Sequence, residues 1–293
     1  MSAGRTLQTT SPRGLDRTLP VWRLWQRAKQ LGTWDPAAVD LARDAEDWRR
    51  LDALEREVLL HLTALFQGGE ESVTLDLLPL LQVVAAEGRI EEEMYLTSFL
   101  WEEAKHVEAF RRFFDEVAGE RGDLTRFHSP AYRTVFLEEL PAALGRLRHD
   151  PSPTAQARAA VTYNMIVEGV LAETGYHGYE EALRRHGLMP GMQRLIELIK
   201  RDEARHIAYG MFLLQRLVAA HGGDMMRTIE QRMGELLAPA LGVVNDVFAA
   251  YERMPFGLEL EAFAGFAMSQ FQSRMGRLER ALATRAVDLD ADA

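Results

Sequence analysis

A chain of 293 residues with 47% apolar and 27% charged residues has the makeup of a folded globular protein able to bury a sizeable core, large for one domain yet without a stretch that reads as a domain linker. Its formal net charge of −10 repels polyanions and argues against nucleic acid as a partner. The absence of cysteine excludes disulfides, thiolate catalysis and thiolate metal sites, so any metal must be held by oxygen and imidazole.

In chain order, residues 1–18 read as a flexible leader, polar and without the apolar core of a signal peptide. Helical periodicity then dominates, with almost no alternation of the kind that marks strands, and helices are predicted at 19–31, 52–86, 90–118, 130–148, 153–187, 190–220, 225–252 and 257–282. Short breaks separate them: EGR at 87–89, GERGD at 119–123, HDPSP at 149–153, HGLMPG at 186–191 and HGGD at 221–224. Pro190 suits a first helical turn, whereas Pro79 and Pro141 fall inside apolar patterns and should kink or restart their helices. Gly68 and Gly69 mark either a local helix break or a close backbone approach at a site. An acidic tail, 286–293, ends the chain, leaving 19–285 as one all-α domain. The longest apolar run, near LLPLLQVVAA, is too short to cross a bilayer, so no transmembrane segment and a cytoplasmic location are expected.

Two segments share one pattern: EEAKH, with Glu103 and His106, and DEARH, with Glu203 and His206. Three residues along a helix correspond to about 300° of rotation and about 4.5 Å of rise, so each glutamate and histidine point from neighbouring turns toward one place, as two ligands of one metal would. Composition alone yields roughly one such Glu-x-x-His spacing, so the pair is weak evidence by itself. More informative is a further glutamate ahead of each: Glu70 lies 33 residues before Glu103, and Glu168 lies 35 before Glu203, the length of a helix, a turn and an antiparallel return. The halves thus repeat as Glu, then Glu-x-x-His, the pattern of a two-metal carboxylate site in a four-helix bundle. Both flanking segments, FQGGEESVTLDLLPLL and VTYNMIVEGVLAETGY, are too apolar for solvated faces, and a lone buried glutamate would be costly. The remaining histidines, at 61, 128, 149, 177, 186 and 221, lack this context and read as surface, cap or packing residues.

With these residues assembled, the sequence resembles the ferritin-like carboxylate proteins, and among them the ligand-binding oxidases related to the small subunit of ribonucleotide reductase, over about residues 20–280. The segments GEESVT, EMYLTSFLWEEAKH, VTYNMIVEG and DEARH carry the likeness. The resemblance implies a ferritin-like four-helix bundle with additional helices. It implies a manganese and iron pair or two irons, dioxygen as co-substrate, a homodimer, and a long-chain fatty acid or similar apolar ligand whose carboxylate bridges the metals. It also implies an ether between a valine Cβ and a tyrosine oxygen, for which Val73 and Tyr163 are the matching residues. Val73, three after Glu70, shares its side of the helix. Tyr163, five before Glu168, is about 140° away on an ideal helix, and a π-helical distortion would bring the two together; without the resemblance it reads as a packing tyrosine. Asp202 resembles a carboxylate that accepts the free N–H of a ligand imidazole, His106, and orients it. Tyr176, eight after Glu168, reads equally as a residue behind the ligands or as core.

Two other functions compete. A radical-generating reductase subunit shares the ligand pattern, but its usual radical tyrosine would fall at Phe110, and no tyrosine or tryptophan follows Tyr251 to export a radical. A non-catalytic protein that stores metal or carries a fatty acid would use the bundle as a container, with Met165, Phe110, Leu171 and Phe212 lining either a cavity or a packed core.

Overall fold

The structure, a computed structural model, describes residues 7–284, and there is no strand among them. Twelve α-helical segments follow one another: α1 (Pro20–Leu31), α2 (Ala42–Arg50), α3 (Ala53–Asp76), α4 (Leu78–Ala86), α5 (Ile90–Arg112), α6 (Pro130–Arg133), α7 (Leu140–Arg146), α8 (Pro153–Ala160), α9 (Glu173–Tyr179), α10 (Pro190–His221), α11 (Gly223–Ala249) and α12 (Leu260–Thr284). Four π-helical stretches interrupt or extend them, at Phe113–Ala118, Thr134–Glu139, Val161–Ala172 and Glu180–Arg184. The acidic tail and residues 1–6 lie outside the described residues. Of the rest of the leader, Arg13 forks onto Glu91 with two bonds of 2.9 Å at the start of α5, and the Asp16 N–H donates to the same carboxylate at 2.7 Å.

Local chemistry sets several boundaries. Asp52 and Glu55 close a reciprocal capping box at the start of α3, each side chain accepting the other's backbone N–H at 2.8 Å. Pro79 ends the long helix expected at 52–86: it stands in the first turn of α4, where its missing N–H costs nothing, and Pro141 does the same for α7. Gly68 and Gly69 do not break α3, which runs through both. A Cβ at Gly69 would lie 3.3 Å from the Phe136 ring, so close approach is the reason for glycine there.

Helix α2 is an element that the periodicity missed. ARDAEDWRR is mostly charged, yet Asp44, Asp47 and Trp48 are buried. Asp44 accepts the N–H groups of Gly191 at 2.9 Å and Met192 at 2.6 Å, and Asp47 that of Met189 at 2.9 Å. Two buried carboxylates therefore cap the N-terminus of α10, where free N–H groups and the helix dipole favour negative charge.

Helix α3 packs along α5 and α10 along the Val161–Ala172 stretch, forming the bundle; α1 lies on α5 and α10, while α11 and α12 cover the π-helical stretch. The buried apolar residues fall into two clusters. One holds Val73, Leu77, Phe99, Val161–Val170 and Ile207–Val218; the other holds Leu59, Phe66, Phe110, Tyr176, Leu195 and Ile199. On α3 the change from one cluster to the other comes across Glu70, on α5 across Glu103 and His106 and on α10 across Glu203 and His206, while along the π-helical stretch the first cluster runs past Glu168 to Val170 before Tyr176 joins the second, so a polar layer lies between two apolar blocks.

Candidate metal centre

Four helical elements deliver that layer: α3 brings Glu70, α5 brings Glu103 and His106, the π-helical stretch brings Glu168, and α10 brings Glu203 and His206. Their potential ligand atoms form two groups, Glu70 with Glu103, His106 and Glu203, and Glu103 with Glu168 and His206, the atoms in each lying within 4.8 Å of one another. Glu103 and Glu203 each face both imidazoles. His106 Nδ1 is 3.5 Å from Glu103 Oε2 and 3.3 Å from Glu203 Oε1; His206 Nδ1 is 3.2 Å from Glu103 Oε1 and 3.6 Å from Glu203 Oε2. Glu70 lies 3.4 Å from His106 alone and Glu168 3.7 Å from His206 alone. The spanning positions thus belong to the glutamates of the two Glu-x-x-His segments.

All six side chains are buried, at 0 to 5% exposure, where unmade polar contacts are expensive. Yet among the described residues Glu103 Oε2, His106 Nδ1, Glu168 Oε1, Glu203 Oε2 and His206 Nδ1 have no hydrogen-bond partner. These orphaned atoms are the ones that converge, and a pair of cations among them supplies the missing partners; oxygen and imidazole donors suit first-row divalent metals. Without cations the layer must balance itself with protons. Burial pushes the Glu70 and Glu168 carboxyls well above the ordinary carboxylate range, against the pull of the adjacent imidazole. Burial also opposes ionisation of Glu103, but the closeness of both imidazoles outweighs it and holds that carboxyl well below the range. Against burial, the surrounding carboxylates hold His106 and His206 well above their usual value.

Each imidazole turns Nδ1 to the layer and donates from Nε2 to a carboxylate of the other segment. His106 donates to Asp202 at 3.3 Å, and His206 to Glu102 at 2.9 Å. Such bonds fix the tautomer and ring orientation of a metal ligand. Asp202 also accepts from Trp34 Nε1 at 2.7 Å and Lys105 Nζ at 3.0 Å. Arg205, 2% exposed, reaches both carboxylates, Glu102 at 2.7 Å and Asp202 at 2.6 Å. Sequence reasoning missed Glu102, Trp34, Lys105 and Arg205. For three of them a signal existed, because EEAKH and DEARH match at every position by charge type, so whatever role Asp202 has implies one for Glu102.

Tyr163 lies in the Val161–Ala172 stretch, where i→i+5 hydrogen bonding sets residues five apart nearly above one another and so aligns Tyr163 with Glu168. Its hydroxyl donates to Glu103 Oε1 at 3.0 Å and approaches the Val73 carbonyl at 3.4 Å. Tyr176 stacks on Phe66 at 4.8 Å within the second apolar cluster, and its hydroxyl has no partner among the described residues.

A cavity with mostly apolar walls opens on Glu70, Glu103, Glu168 and Glu203. Phe66, Val73, Phe136 and Leu171 line it near the carboxylates, and half-buried Met254 and Leu258 lie on the loop between α11 and α12. Of the four residues expected in either a cavity or a core, Leu171 lines the cavity, while Met165, Phe110 and Phe212 are packed in the apolar clusters. No helix among the described residues is long and apolar enough to cross a membrane.

Comparison with known proteins agrees with this geometry. The model of the family "Ribonucleotide reductase, small chain" matches residues 19–266. Among solved structures, an R2-like ligand-binding oxidase with aerobically reconstituted Mn/Fe cofactor is 35% identical, with 94% of this chain and 98% of that chain covered at a TM-score of 0.90. A point mutant of an R2-like ligand-binding oxidase with anaerobically reconstituted Mn/Fe cofactor gives the same identity and coverage at 0.88. The chain therefore belongs to the ribonucleotide reductase small chain family, alongside its dinuclear metal oxidases.

Proposed function

We propose that the protein is a dioxygen-activating oxidase that holds manganese and iron, or two irons, on Glu70, Glu103, His106, Glu168, Glu203 and His206, and takes a long-chain fatty acid or similar apolar carboxylate into its cavity. The observation that carries this reading is the cavity itself, apolar along its walls and ending on the carboxylate layer. A long hydrocarbon chain is desolvated along such walls while its head reaches the cations. Residues 19–285 act as one domain; homodimeric assembly belongs to the proposal on the strength of the resemblance, and a cytoplasmic location is carried over as the sequence expectation.

Held by these six residues, a metal pair would supply Lewis acidity toward dioxygen and two of the four electrons needed to take it to water. The chain supplies the other two in a single self-oxidation: an ether forms between Val73 Cβ and the Tyr163 oxygen as the Cβ–H and O–H bonds break, and two protons and two electrons pass to dioxygen, whose remaining two protons come from solvent. Glu103, in hydrogen-bond contact with the Tyr163 hydroxyl, is placed to receive the phenolic proton. Asp202 and Glu102 keep the two imidazoles oriented, and the apolar wall excludes water from the reacting groups.

The test is the intact mass of the protein before and after aerobic reconstitution with manganese and iron. Loss of two hydrogens, mapped to a peptide pair joining Val73 and Tyr163, supports the oxidase; an unchanged mass at full metal occupancy leaves a storage or carrier protein. Solvent extraction of the purified protein, read by mass spectrometry, checks for the apolar carboxylate.

A further inference from the structure

The five-residue segments Glu102 to His106 and Asp202 to His206 correspond position for position, a hundred residues apart, yet their basic members behave differently. Lys105 Nζ donates to Asp202 at 3.0 Å and to the Gly32 carbonyl at 2.7 Å, so it serves one carboxylate. Arg205 donates to both Glu102 and Asp202 and anchors its other terminal nitrogen on the Arg201 carbonyl at 2.7 Å. The two carboxylates depend on it unequally. Asp202 keeps Lys105 and Trp34 as further donors, whereas among the described residues Glu102 has only Arg205 on Oε1 and His206 on Oε2.

We propose that Arg205 is a positioning residue that joins the two imidazole–carboxylate pairs into one unit and sets cation affinity chiefly on the His206 side, through Glu102, while Lys105 serves the His106 side alone, through Asp202. The physical reason is rotamer control. A glutamate side chain has several accessible rotamers, and the short Arg205 contact holds Glu102 in the one that accepts from Nε2, which in turn keeps His206 Nδ1 aimed at the layer. Both carboxylate bonds come from one terminal nitrogen, Nη2, and the planar guanidinium fixes that nitrogen in place because Nη1 is anchored on the Arg201 carbonyl, a restraint that a single ammonium lacks. This inference rests on the two-metal reading of the site.

The test is anaerobic titration of the metal-free full-length protein with Mn(II) alone, with the occupancy of each position read from anomalous diffraction at the manganese edge at stepped Mn(II) concentrations. In Arg205→Met, Mn(II) affinity on the His206 side is expected to fall about 10- to 100-fold, the scale for losing a partner behind a metal ligand, with a smaller fall on the His106 side. Lys105→Met should weaken the His106 side only, and Arg205→Lys should lie between Arg205→Met and the native protein. Should Arg205→Met fail to fold, Glu102→Gln reads the same relation from its other partner, with loss on the His206 side and retention on the His106 side. A folded Arg205→Met protein with native His206-side affinity, or equal losses on both sides in Arg205→Met and Lys105→Met alike, overturns the assignment. A native protein that binds fewer than two Mn(II) ions would instead sink the two-metal reading beneath it.

Discussion

Tyr163 is buried among aromatic neighbours, edge-on to Phe99 at 5.7 Å, and joined to the carboxylate layer by one hydrogen bond to Glu103. Phenylalanine there keeps the packing and removes the oxygen that the ether needs, so Tyr163→Phe should fold and bind both metals but lose the two-hydrogen mass change completely. Its stability should fall by about 1 kcal/mol, the net worth of one hydrogen bond, as read from urea unfolding. Away from the layer, burial first, then nearby Arg126 and His128, push the His61 imidazole down to about 4 against the opposing pull of the Phe127 backbone. Because the unfolded chain takes this proton at about 6.5, the group costs nothing above that pH, and stability is lost as pH falls from about 6.5 toward 4. His61→Asn should therefore lose about 2 kcal/mol less than the native protein on going from pH 7 to pH 5, measured by chemical denaturation. An equal loss in both proteins would show that His61 is not the group responsible.

At the scale of elements, the start of α10 depends on α2, whose aspartates satisfy three of its backbone N–H groups or those just before it. Asp44→Ala should cost about 2 kcal/mol, the upper end for a cap, because Asp44 accepts two of these bonds and is fully buried. Helix α10 also meets the π-helical stretch at Gly210, where an added Cβ would collide with the Asn164 side chain. Asn164 Nδ2 donates to Glu168 Oε2 at 2.8 Å, so the collision reaches a candidate ligand. Gly210→Ala should destabilise the fold by about 1–3 kcal/mol by overpacking and weaken Mn(II) binding on the His206 side more than on the other. Thermal melts and the same titration separate the two effects.

For the whole molecule, a layer of four buried glutamates is tolerable only with compensating charge. Cations that bind the folded layer and not the unfolded chain add stability by mass action, about 4 kcal/mol at roughly a thousandfold excess over Kd. Stripping the metals with a chelator should lower Tm by several degrees, and Mn(II) should restore it, while a Glu103→Gln/Glu203→Gln protein should respond weakly to both.

The all-α class and the six residues of the layer were legible because helical periodicity and the Glu, Glu-x-x-His repeat are local patterns, set by the turn of one helix. The missing hydroxyl at Phe110 was legible too, whereas its choice between cavity and core was left to the structure, which buries the ring against Phe66 at 4.9 Å. Helix α2 was not, since its buried aspartates are explained only by the helix end they cap, 142 to 148 residues further along the chain. Tertiary structure alone decided which carboxylates span both imidazoles, and it gave His206 to Glu102, the counterpart of the Asp202–His106 pairing that the resemblance implied. It also made Arg205 the common partner of both acids and opened the apolar cavity onto the layer. A sequence pattern reports which face of its own helix a residue occupies. What that face meets is settled when distant helices pack, and there the need to satisfy every buried charge selects the partners.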